Sequence, residues 1–318
     1  MGSIGNRKVI ALAGGVGGAR FANGLIQTLS PEQLTIVVNV GDDFELLNLK
    51  ICPDLDTVMY TAAGLNDLKR GWGLANESWQ FMKSLEKLGG PTWFQLGDQD
   101  MATQVKRTAL LSCGLSLSEV TYQLCKALGI GHHIVPASDQ MIQTRLITDV
   151  GELAFQDYFV RQKCLPKVSQ IKFDGASEAK ANQHLMQSLS DQQVAGVIIG
   201  PSNPLLSIEP ILAIPELQSA LRHRQCPCIA ISPIIAGQVV KGPLAKIMGE
   251  LGKAVNPLEI AHLYHGFIDG LIIDDSDQQW RSDIQKLGIQ VMCTDILMRN
   301  HAQQASLAKQ AVEWFLNV

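Results

Sequence analysis

Three segments of the sequence combine glycine or proline with groups that can bind phosphate. They are Gly14-Gly15-Val16-Gly17-Gly18, Gly200-Pro201-Ser202-Asn203-Pro204, and the stretch from Ser232-Pro233 to Lys241-Gly242-Pro243. Glycine lets backbone N–H groups approach an anion, and the N-terminus of a following helix adds partial positive charge. Prolines around Ser-Asn favour a rigid loop. We therefore expect ligand contacts from Gly14, Gly15, Gly17, Gly18, Arg20, Gly200, Ser202, Asn203, Ser232 and Lys241.

The first glycine segment is close to two known nucleotide-binding loops without matching either of them. No Lys-Ser or Lys-Thr follows Gly18, which excludes a Walker A loop. Gly15, Gly17 and Gly18 only approximate the G-x-G-x-x-G spacing of a dinucleotide site. The alternative is a tight strand-to-helix turn that binds no ligand, because motifs of this kind have false positives.

Four aspartates follow within fifteen residues: Asp42, Asp43, Asp54 and Asp56. Carboxylates spaced in this way can bind Mg²⁺ that bridges phosphates, or can supply a general base. A dinucleotide site would need one acidic residue in this region, for a ribose. The alternative is that Asp54 and Asp56 cap a helix beginning at Thr57. Capping accounts for one aspartate but not for four.

An aromatic passage, Trp93-Phe94-Gln95-Leu96, precedes Gly97-Asp98-Gln99-Asp100 and then Lys106-Arg107. Acidic and cationic groups beside aromatic rings suit a flat heteroaromatic ligand with a phosphate nearby. A helix N-cap followed by a solvated helix face explains the same composition equally well. The residues that we expect to contact substrate in this passage are Trp93, Asp98, Gln99, Asp100 and Arg107.

The elements that position these residues follow from the apolar pattern. A buried strand at 8–13, a helix at 19–29 and a second strand at 34–40 form a right-handed βαβ unit. Short apolar runs in the C-terminal half repeat this alternation, at 194–199, 228–232, 271–273 and 290–293. The pattern predicts an α/β fold with a mainly parallel sheet covered on both faces, and a docked final helix at 302–316.

The middle of the chain has a different pattern. Its first part is helical, and 141–148 with 153–160 predict a β-hairpin closed over Asp149-Val150-Gly151. We therefore divide the chain into a nucleotide-binding core at 1–60 and 190–318 and a largely helical insertion at 61–189. The insertion would form a cap over the site.

Composition excludes several classes of protein. The chain has 318 residues, a net charge of -4 and no basic face of the kind that nucleic-acid binding requires. No apolar run approaches the roughly 20 residues that span a bilayer, so we expect a cytoplasmic protein without a membrane partner. The seven cysteines are scattered and odd in number, which favours free thiols over disulfides.

Taken together and in order, these segments closely resemble the 2-phospho-L-lactate transferase family of coenzyme F-420 biosynthesis, whose bacterial members are also described as phosphoenolpyruvate transferases. The resemblance spans nearly the whole chain. The matching pieces are AGGVGGARF (13–21), VNVGDD (38–43), CPDLDTVMYTAAG (52–64), GWG (71–73), PTWFQLGDQDMATQVKRT (91–108), LSEVT (117–121), FQDYFV (155–160), IGPSNPLLSIEPIL (199–212), ISPIIAGQVVKGP (231–243) and TDILM (294–298).

The resemblance implies a Rossmann-like core, a homodimer, and Mg²⁺-dependent attack of a deazaflavin alcohol on a guanosine diphosphate ester, with release of GMP. By this likeness the segments 14–18 and 200–204 hold the guanosine diphosphate part, and Trp93–Asp100 faces the deazaflavin. The aspartates supply metal binding and activation of the hydroxyl. In that reading the catalytic residues are Asp42, Asp54 and Asp56, and the metal ligands are Asp42, Asp43 and Asp56.

The sequence departs from the family pattern at Gln99, where the family usually has the arginine of Gly-Asp-Arg-Asp. If that arginine contacts substrate, Gln99 lacks its charge and fork geometry, which Lys106 or Arg107 would have to replace. The valine in the glycine segment favours phosphoenolpyruvate as the transferred acid. Two alternatives stay open: a non-catalytic nucleotide-binding regulator on the same fold, and an NAD(P)-dependent oxidoreductase. The aromatic passage weighs against the first, and the imperfect glycine spacing with the double aspartate weighs against the second.

Overall fold

The computed structural model describes residues 4–190, 193–316 and 318. The strands are β1 (Lys8–Ala13), β2 (Leu34–Val38), β3 (Phe44–Leu46), β4 (Leu49–Ile51), β5 (His133–Pro136), β6 (Gln143–Thr148), β7 (Gly151–Ala154), β8 (Val168–Asp174), β9 (Val194–Ile199), β10 (Cys228–Ile231), β11 (Ile234–Ile235), β12 (Gln238–Val239), β13 (Gly270–Ile273) and β14 (Gln290–Cys293). The α-helices are α1 (Gly15–Ile26), α2 (Pro53–Ala62), α3 (Gln80–Lys87), α4 (Asp98–Ser112), α5 (Leu117–Ala127), α6 (Gln183–Ser190), α7 (Glu209–Leu212), α8 (Pro215–Arg222), α9 (Leu244–Glu250), α10 (Pro257–Leu263), α11 (Arg281–Gln285) and α12 (His301–Phe315).

Within these residues a seven-stranded parallel sheet has the order β14-β13-β10-β9-β1-β2-β5. On one side of β1 the chain adds β2 and then β5. On the other side it adds β9, β10, β13 and β14 in turn. The strand order therefore reverses between β1 and β9. In open α/β sheets, ligands bind at the carboxyl ends of the strands beside such a reversal. The segments that follow β1, β2, β9 and β10 meet at that edge.

The predicted α/β class is confirmed, and the central strands begin and end close to their predicted positions. β1, β9 and β14 have the predicted bounds, since each is a short apolar run ended by a residue that leaves the sheet. β2 ends at Val38 instead of residue 40, and α1 begins at Gly15 instead of residue 19. The glycine segment is therefore mostly the first turn of a helix, and only Gly14 lies before it as the N-cap.

The middle of the chain differs from prediction in two respects. β6 and β7 form the predicted hairpin, but 155–160 is not a strand: the chain turns into a π-helix at Asp157–Arg161, and β6 pairs on its other side with β8. β5 also lies inside the range 61–189 and pairs with β2 at the edge of the central sheet. That range therefore contributes to the core sheet as well as to a cap, and the division into core and insertion stays a prediction.

Helix α1 packs against both α2 and α12. Gly24 lies at the crossing with α12, where a Cβ atom would overlap the backbone carbonyl of Gln304. Backbone atoms of a helix cannot move aside cheaply, so the close approach of the two helices requires glycine at this position. Within the described residues, no helix is long and apolar enough to cross a bilayer.

We expect Gly24→Ala to lower the free energy of unfolding by about 1–3 kcal/mol, the usual cost of overpacking. Gly249→Ala is the matched control, because Gly249 lies in α9 with no atom within 4 Å of the added Cβ. It should leave stability unchanged or raise it by up to about 1 kcal/mol. Chemical denaturation of both variants measures this, and equal stability of the two would contradict the packing argument.

Candidate active site

A cavity of about 750 Å³ lies where the segments after β1, β2, β9 and β10 meet. The charged side chains that line it among the described residues are Asp42, Asp54, Asp56, Asp100, Arg20, Arg70 and Lys241. The aromatic side chains that line it are Tyr60, Trp72, Phe94, Phe155 and Phe159. One space therefore combines carboxylates, cations and flat apolar rings.

The glycine segment is held in place by the loop after β9 and by Asp54. The N–H of Gly14 donates to Ser202 Oγ at 3.1 Å, and the N–H of Gly15 donates to Asp54 Oδ1 at 2.8 Å. A Cβ on Gly17 would overlap the carbonyl oxygen of Pro201, so glycine is required there for packing alone. The first-turn N–H groups after Gly15 have no partner within the helix and are therefore the groups of this segment able to bind an anion.

Asn39 joins two of the aspartates. It is fully buried directly after β2, and its Nδ2 donates to Asp42 Oδ1 at 3.1 Å and to Asp54 Oδ2 at 3.0 Å. Burial raises the pKa of Asp42 well above its ordinary value, and repulsion from Asp54 raises it further. Burial also raises the pKa of Asp54. Two carboxylates at one amide nitrogen favour a shared cation or a shared proton.

The side chain of Asp43 has a different environment from those of Asp42 and Asp54. It lines a second cavity of about 570 Å³, together with Trp93 and Arg161, and does not line the first. Its Oδ2 accepts a hydrogen bond from Cys52 Sγ at 3.1 Å and lies 3.5 Å from Lys50 Nζ. Its Oδ1 is buried without a hydrogen-bond partner, and burial raises the pKa of Asp43 to about 6.

Asp56 forms a buried ion pair with Arg107, which has no exposed surface. The guanidinium donates to both carboxylate oxygens, and Gln104 Nε2 also donates to Asp56 Oδ2, at 2.9 Å. Burial alone would lower the pKa of Arg107, but the charge of Asp56 outweighs that effect and the pKa lies above its ordinary value. Asp56 therefore has little free capacity for a metal, and Arg107, predicted to contact substrate, binds Asp56 instead.

Asp100 shares this network. Its Oδ1 accepts hydrogen bonds from the Tyr60 hydroxyl at 2.6 Å and from Gln104 Nε2 at 2.9 Å. Burial raises the pKa of Asp100 to about 6, assisted by the charge of Asp56. Asp100 reaches the first cavity from the start of α4, and its contact with substrate stays a prediction.

The interpretation of Asp54 and Asp56 as mere caps of a helix beginning at Thr57 is wrong. Helix α2 begins at Pro53, so both aspartates lie inside its first turn. Their side chains bind Gly15 and Arg107, in other elements, and no side chain caps the helix at Cys52. Pro53, at the N1 position, begins the helix before the predicted start at Thr57. Residues in other elements then bind the carboxylates of Asp54 and Asp56.

Several predicted contact residues lie outside the first cavity; they are Gly18, Trp93, Asp98, Gln99, Arg107, Gly200 and Ser232. Asp98 accepts hydrogen bonds from Ser78 and from the N–H groups of Gln80 and Phe81, so it caps α3. Gln99 is exposed and donates to the carbonyl of Asn76 at 3.0 Å. The departure from the family's arginine therefore lies at the surface and not in the cavity.

The predicted residues that do line the first cavity are Gly14, Gly15, Gly17, Arg20, Asp42, Asp54, Asp56, Asp100, Ser202, Asn203 and Lys241. Asn203 uses its Oδ1 to accept from the N–H groups of Leu205 and Leu206, which leaves its Nδ2 as the group able to bind a ligand. Lys241 reaches the cavity beside Gly71.

Sequence reasoning missed Arg70 and Trp72 as individual site residues, although Gly-Trp-Gly was recognised as a matching piece. The Arg70 guanidinium lies 5.2 Å from the ring centroid of Trp72 and 5.0 Å from that of Trp79. It also pairs with Asp67 at 3.1 Å. Phe155 and Phe159, stacked 5.3 Å apart, were missed because the segment was predicted to be a strand. The four-residue spacing of these two phenylalanines is typical of a helix, and it is the sequence signal that could have identified them.

Replacing Arg107 should reveal the cost of an unpaired charge. Arg107→Met leaves the Asp56 carboxylate buried without its partner, and we expect the free energy of unfolding to fall by about 3–5 kcal/mol. The double variant Asp56→Leu, Arg107→Met removes both charges and should recover most of that loss. Chemical denaturation measures all three proteins. A single variant as stable as the parent would contradict the buried pair.

Comparison with known proteins places the whole chain in a family. The family model described as 2-phospho-L-lactate transferase CofD matches residues 9–304. The chain is 36% identical over 312 residues to the phosphoenolpyruvate transferase of Kitasatospora aureofaciens, covering 96% of this chain and 97% of that protein. It is 35% identical over 311 residues to the 2-phospho-L-lactate transferase of Methanococcoides burtonii, covering 98% and 100%.

A crystal structure of a UPF0052 family protein from Bacillus halodurans has the same fold. It superimposes with a TM-score of 0.61 at 14% sequence identity, covering 96% of this chain and 99% of that one. A likeness at that identity concerns the fold alone. The family match and the curated relatives extend over nearly the whole chain. The chain therefore belongs to the 2-phospho-L-lactate transferase CofD family and is a transferase.

Proposed function

We propose that this transferase acts in coenzyme F-420 biosynthesis. It would move a 2-phospho acid group from a guanosine diphosphate ester, of the lactyl-2-diphospho-5'-guanosine type, to the deazaflavin alcohol 7,8-didemethyl-8-hydroxy-5-deazariboflavin, with release of GMP. The observation that carries the proposal is the composition of one cavity. The helix start at Gly14–Gly17 and the loop at Pro201–Asn203 lie in the same space as carboxylates and a set of aromatic rings. A diphosphate ester and a flat acceptor need these two kinds of surface together.

The donor side of the cavity suits a diphosphate. First-turn N–H groups of α1 and the partial positive charge of its N-terminus favour phosphate there. Arg20 and Lys241 line the same cavity, and within the described residues neither has a carboxylate in ion-pair contact. Cations with no protein carboxylate to neutralise them are suited to the negative charges of the diphosphate and of the acid.

The acceptor side suits a planar ring. Trp72, Phe94 and the stacked pair Phe155 and Phe159 come from three segments of the chain and line the same cavity. Trp72 and Phe159 are partly exposed, at 43% and 39%. Partly exposed aromatic faces around an opening are suited to a flat heteroaromatic ligand, because each ring that the ligand covers loses contact with water.

The residues also fit Mg²⁺. Within residues 4–190, 193–316 and 318, no group of three or more His, Cys, Asp or Glu is arranged to hold a metal without other ligands. Mg²⁺ in phosphoryl-transfer sites usually takes one or two carboxylates together with substrate phosphates and water. Asp42 and Asp54, at one amide nitrogen beside the helix start, meet that need. When bound, the ion would neutralise charge on the diphosphate.

This arrangement revises the predicted ligand set of Asp42, Asp43 and Asp56. Asp54 replaces Asp56, because Arg107 neutralises the charge of Asp56, whereas Asp54 accepts hydrogen bonds only from the neutral groups Gly15 N–H and Asn39 Nδ2. Asp43 faces the second cavity, where Lys50 already balances it. Catalysis then rests mainly on positioning the alcohol and stabilising charge, as in phosphoryl transfer generally.

The test is GMP release by the purified protein with the deazaflavin alcohol, Mg²⁺ and either the phospholactate or the phosphoenolpyruvate diphosphate ester of guanosine. We expect release with both components present and none when the alcohol is omitted, with the phosphoenolpyruvate ester preferred. The relatives' names include both acids at similar identity, so the comparison of the two esters decides between them. Nucleotide binding without GMP release from either ester would favour the regulator alternative.

Replacement of Asp42 or Asp54 tests the proposed metal site. Asp42→Asn and Asp54→Asn should each raise the Mg²⁺ concentration needed for half-maximal GMP release by at least about tenfold, since each removes one charged ligand. Asp43→Asn is the matched comparison: it is the adjacent residue, with its side chain in the second cavity, and should change that concentration far less. An equal effect at all three positions would contradict the assignment of the pair.

A further inference from the structure

The carboxylates that line the first cavity differ in how many of their oxygens are already bound. Asp54 accepts from Gly15 on one oxygen and from Asn39 on the other. Both oxygens of Asp56 accept from Arg107. A carboxylate with both oxygens fixed by the protein has little capacity left to accept a proton from a ligand.

Asp42 and Asp100 each retain one oxygen without a hydrogen-bond partner among the described residues. Asp42 binds Asn39 only through Oδ1, and Asp100 binds Tyr60 and Gln104 only through Oδ1. Asp42 lies beside Asp54 and the helix start, where phosphate and its counterion are expected. Asp100 belongs to a different element, α4, and to the network that includes Tyr60.

We infer that Asp100 Oδ2 accepts the proton of the attacking acceptor hydroxyl, and that Tyr60, Gln104 and the Asp56–Arg107 pair position it. This inference rests on the proposed transferase function. Asp100 is 8% exposed and lines the cavity, and its unpartnered Oδ2 is not among the buried unsatisfied atoms, so it is open to the cavity. It binds Tyr60, and both line the cavity that contains the aromatic rings proposed to hold the acceptor.

The backbone of Asp100 is fixed as firmly as its side chain. The N–H groups of Gln99 and Asp100 donate to the two carboxylate oxygens of Glu77, at 2.9 and 2.8 Å. Gln104 Nε2 then bridges Asp100 Oδ1 and Asp56 Oδ2, while Arg107 donates to Gln104 Oε1. These contacts fix both the backbone and the Oδ1 atom of Asp100, and they thereby fix the direction of its free Oδ2.

The charged groups around Asp100 suit a base that works near neutral pH. Burial, and next the charge of Asp56, raise the pKa of Asp100 to about 6, while the hydrogen bonds from Tyr60 and Gln104 and the charge of Arg107 oppose that rise. Glu77 lies at the backbone N–H, beyond the side chain. A carboxylate with this pKa is deprotonated at pH 7 and is a stronger base than an ordinary aspartate.

The hydroxyl oxygen of the acceptor forms a bond to the phosphorus that carries the 2-phospho acid, and the bond from that phosphorus to the oxygen of GMP breaks. The electron pair of the broken bond stays on GMP. The hydroxyl proton passes to Asp100 Oδ2 and is released to water after the products leave.

The experiment measures kcat, acceptor KM and donor affinity of the full chain between about pH 5 and 9. Asp100→Asn should lower kcat by roughly 10²–10⁴-fold, the usual contribution of a general base, with donor affinity unchanged within a few-fold. Asp100→Glu should recover part of the rate. The control is Asp283→Asn, a surface aspartate paired with Lys286 on α11, which should match the parent protein.

The pH profile separates a proton acceptor from a structural residue. Activity of the parent should rise through about pH 6, because Asp100 must lose its proton to act. Tyr60→Phe removes a hydrogen bond that lowers the pKa of Asp100, so the rise should move to higher pH whatever the change in the plateau rate. This readout applies even if Asp100→Asn fails to fold.

Two results would overturn the inference while leaving the transferase function intact: Asp100→Asn with the parent's kcat, or Tyr60→Phe with an unmoved pH profile. A loss confined to acceptor KM would likewise make Asp100 a binding residue and not the proton acceptor. Absence of GMP release by the parent protein itself would instead refute the proposed function.

Discussion

The close packing of the first turn of α1 against the loop that follows β9 is the constraint on which the site depends. β1 and β9 are adjacent strands at the point where the order of the sheet reverses, so the chain leaves both at the same edge. Glycine at 17 allows the backbone of Pro201 to touch the helix, and Ser202 ties the loop to Gly14. The same contact leaves the N-terminus of α1 at the edge of the cavity.

The buried carboxylates near this edge of the sheet have different partners. Five aspartates lie close together, but each accepts hydrogen bonds from a different set of donor groups. Asn39 couples Asp42 with Asp54, Lys50 balances Asp43, and Arg107 neutralises Asp56. Asp100 meets only neutral donors on its side chain, from Tyr60 and Gln104. The carboxylates therefore differ in their neighbouring charges and hydrogen bonds, which sequence spacing alone does not reveal.

Much of the fold was predictable because its central strands are short, fully apolar and parallel. β9 could be read directly from Val194–Ile199, since a strand covered on both faces has no other requirement than apolar side chains. The strand predicted at 153–160 was wrong because Phe155 and Phe159 lie four residues apart on a helical turn, while the same letters also satisfy a strand. Short apolar runs do not resolve that ambiguity.

The sequence by itself determined the class of fold and the family, because these depend on local pattern and on ordered motifs. Tertiary structure alone decided which predicted residues share one cavity. In the folded chain Arg107 forms an ion pair with Asp56, Asp98 caps α3, and Gln99 lies at the surface. It also brought Arg70 and Trp72 to the cavity. The physical reason is that a charged or aromatic side chain acts according to its partners, and those partners lie far away in the sequence.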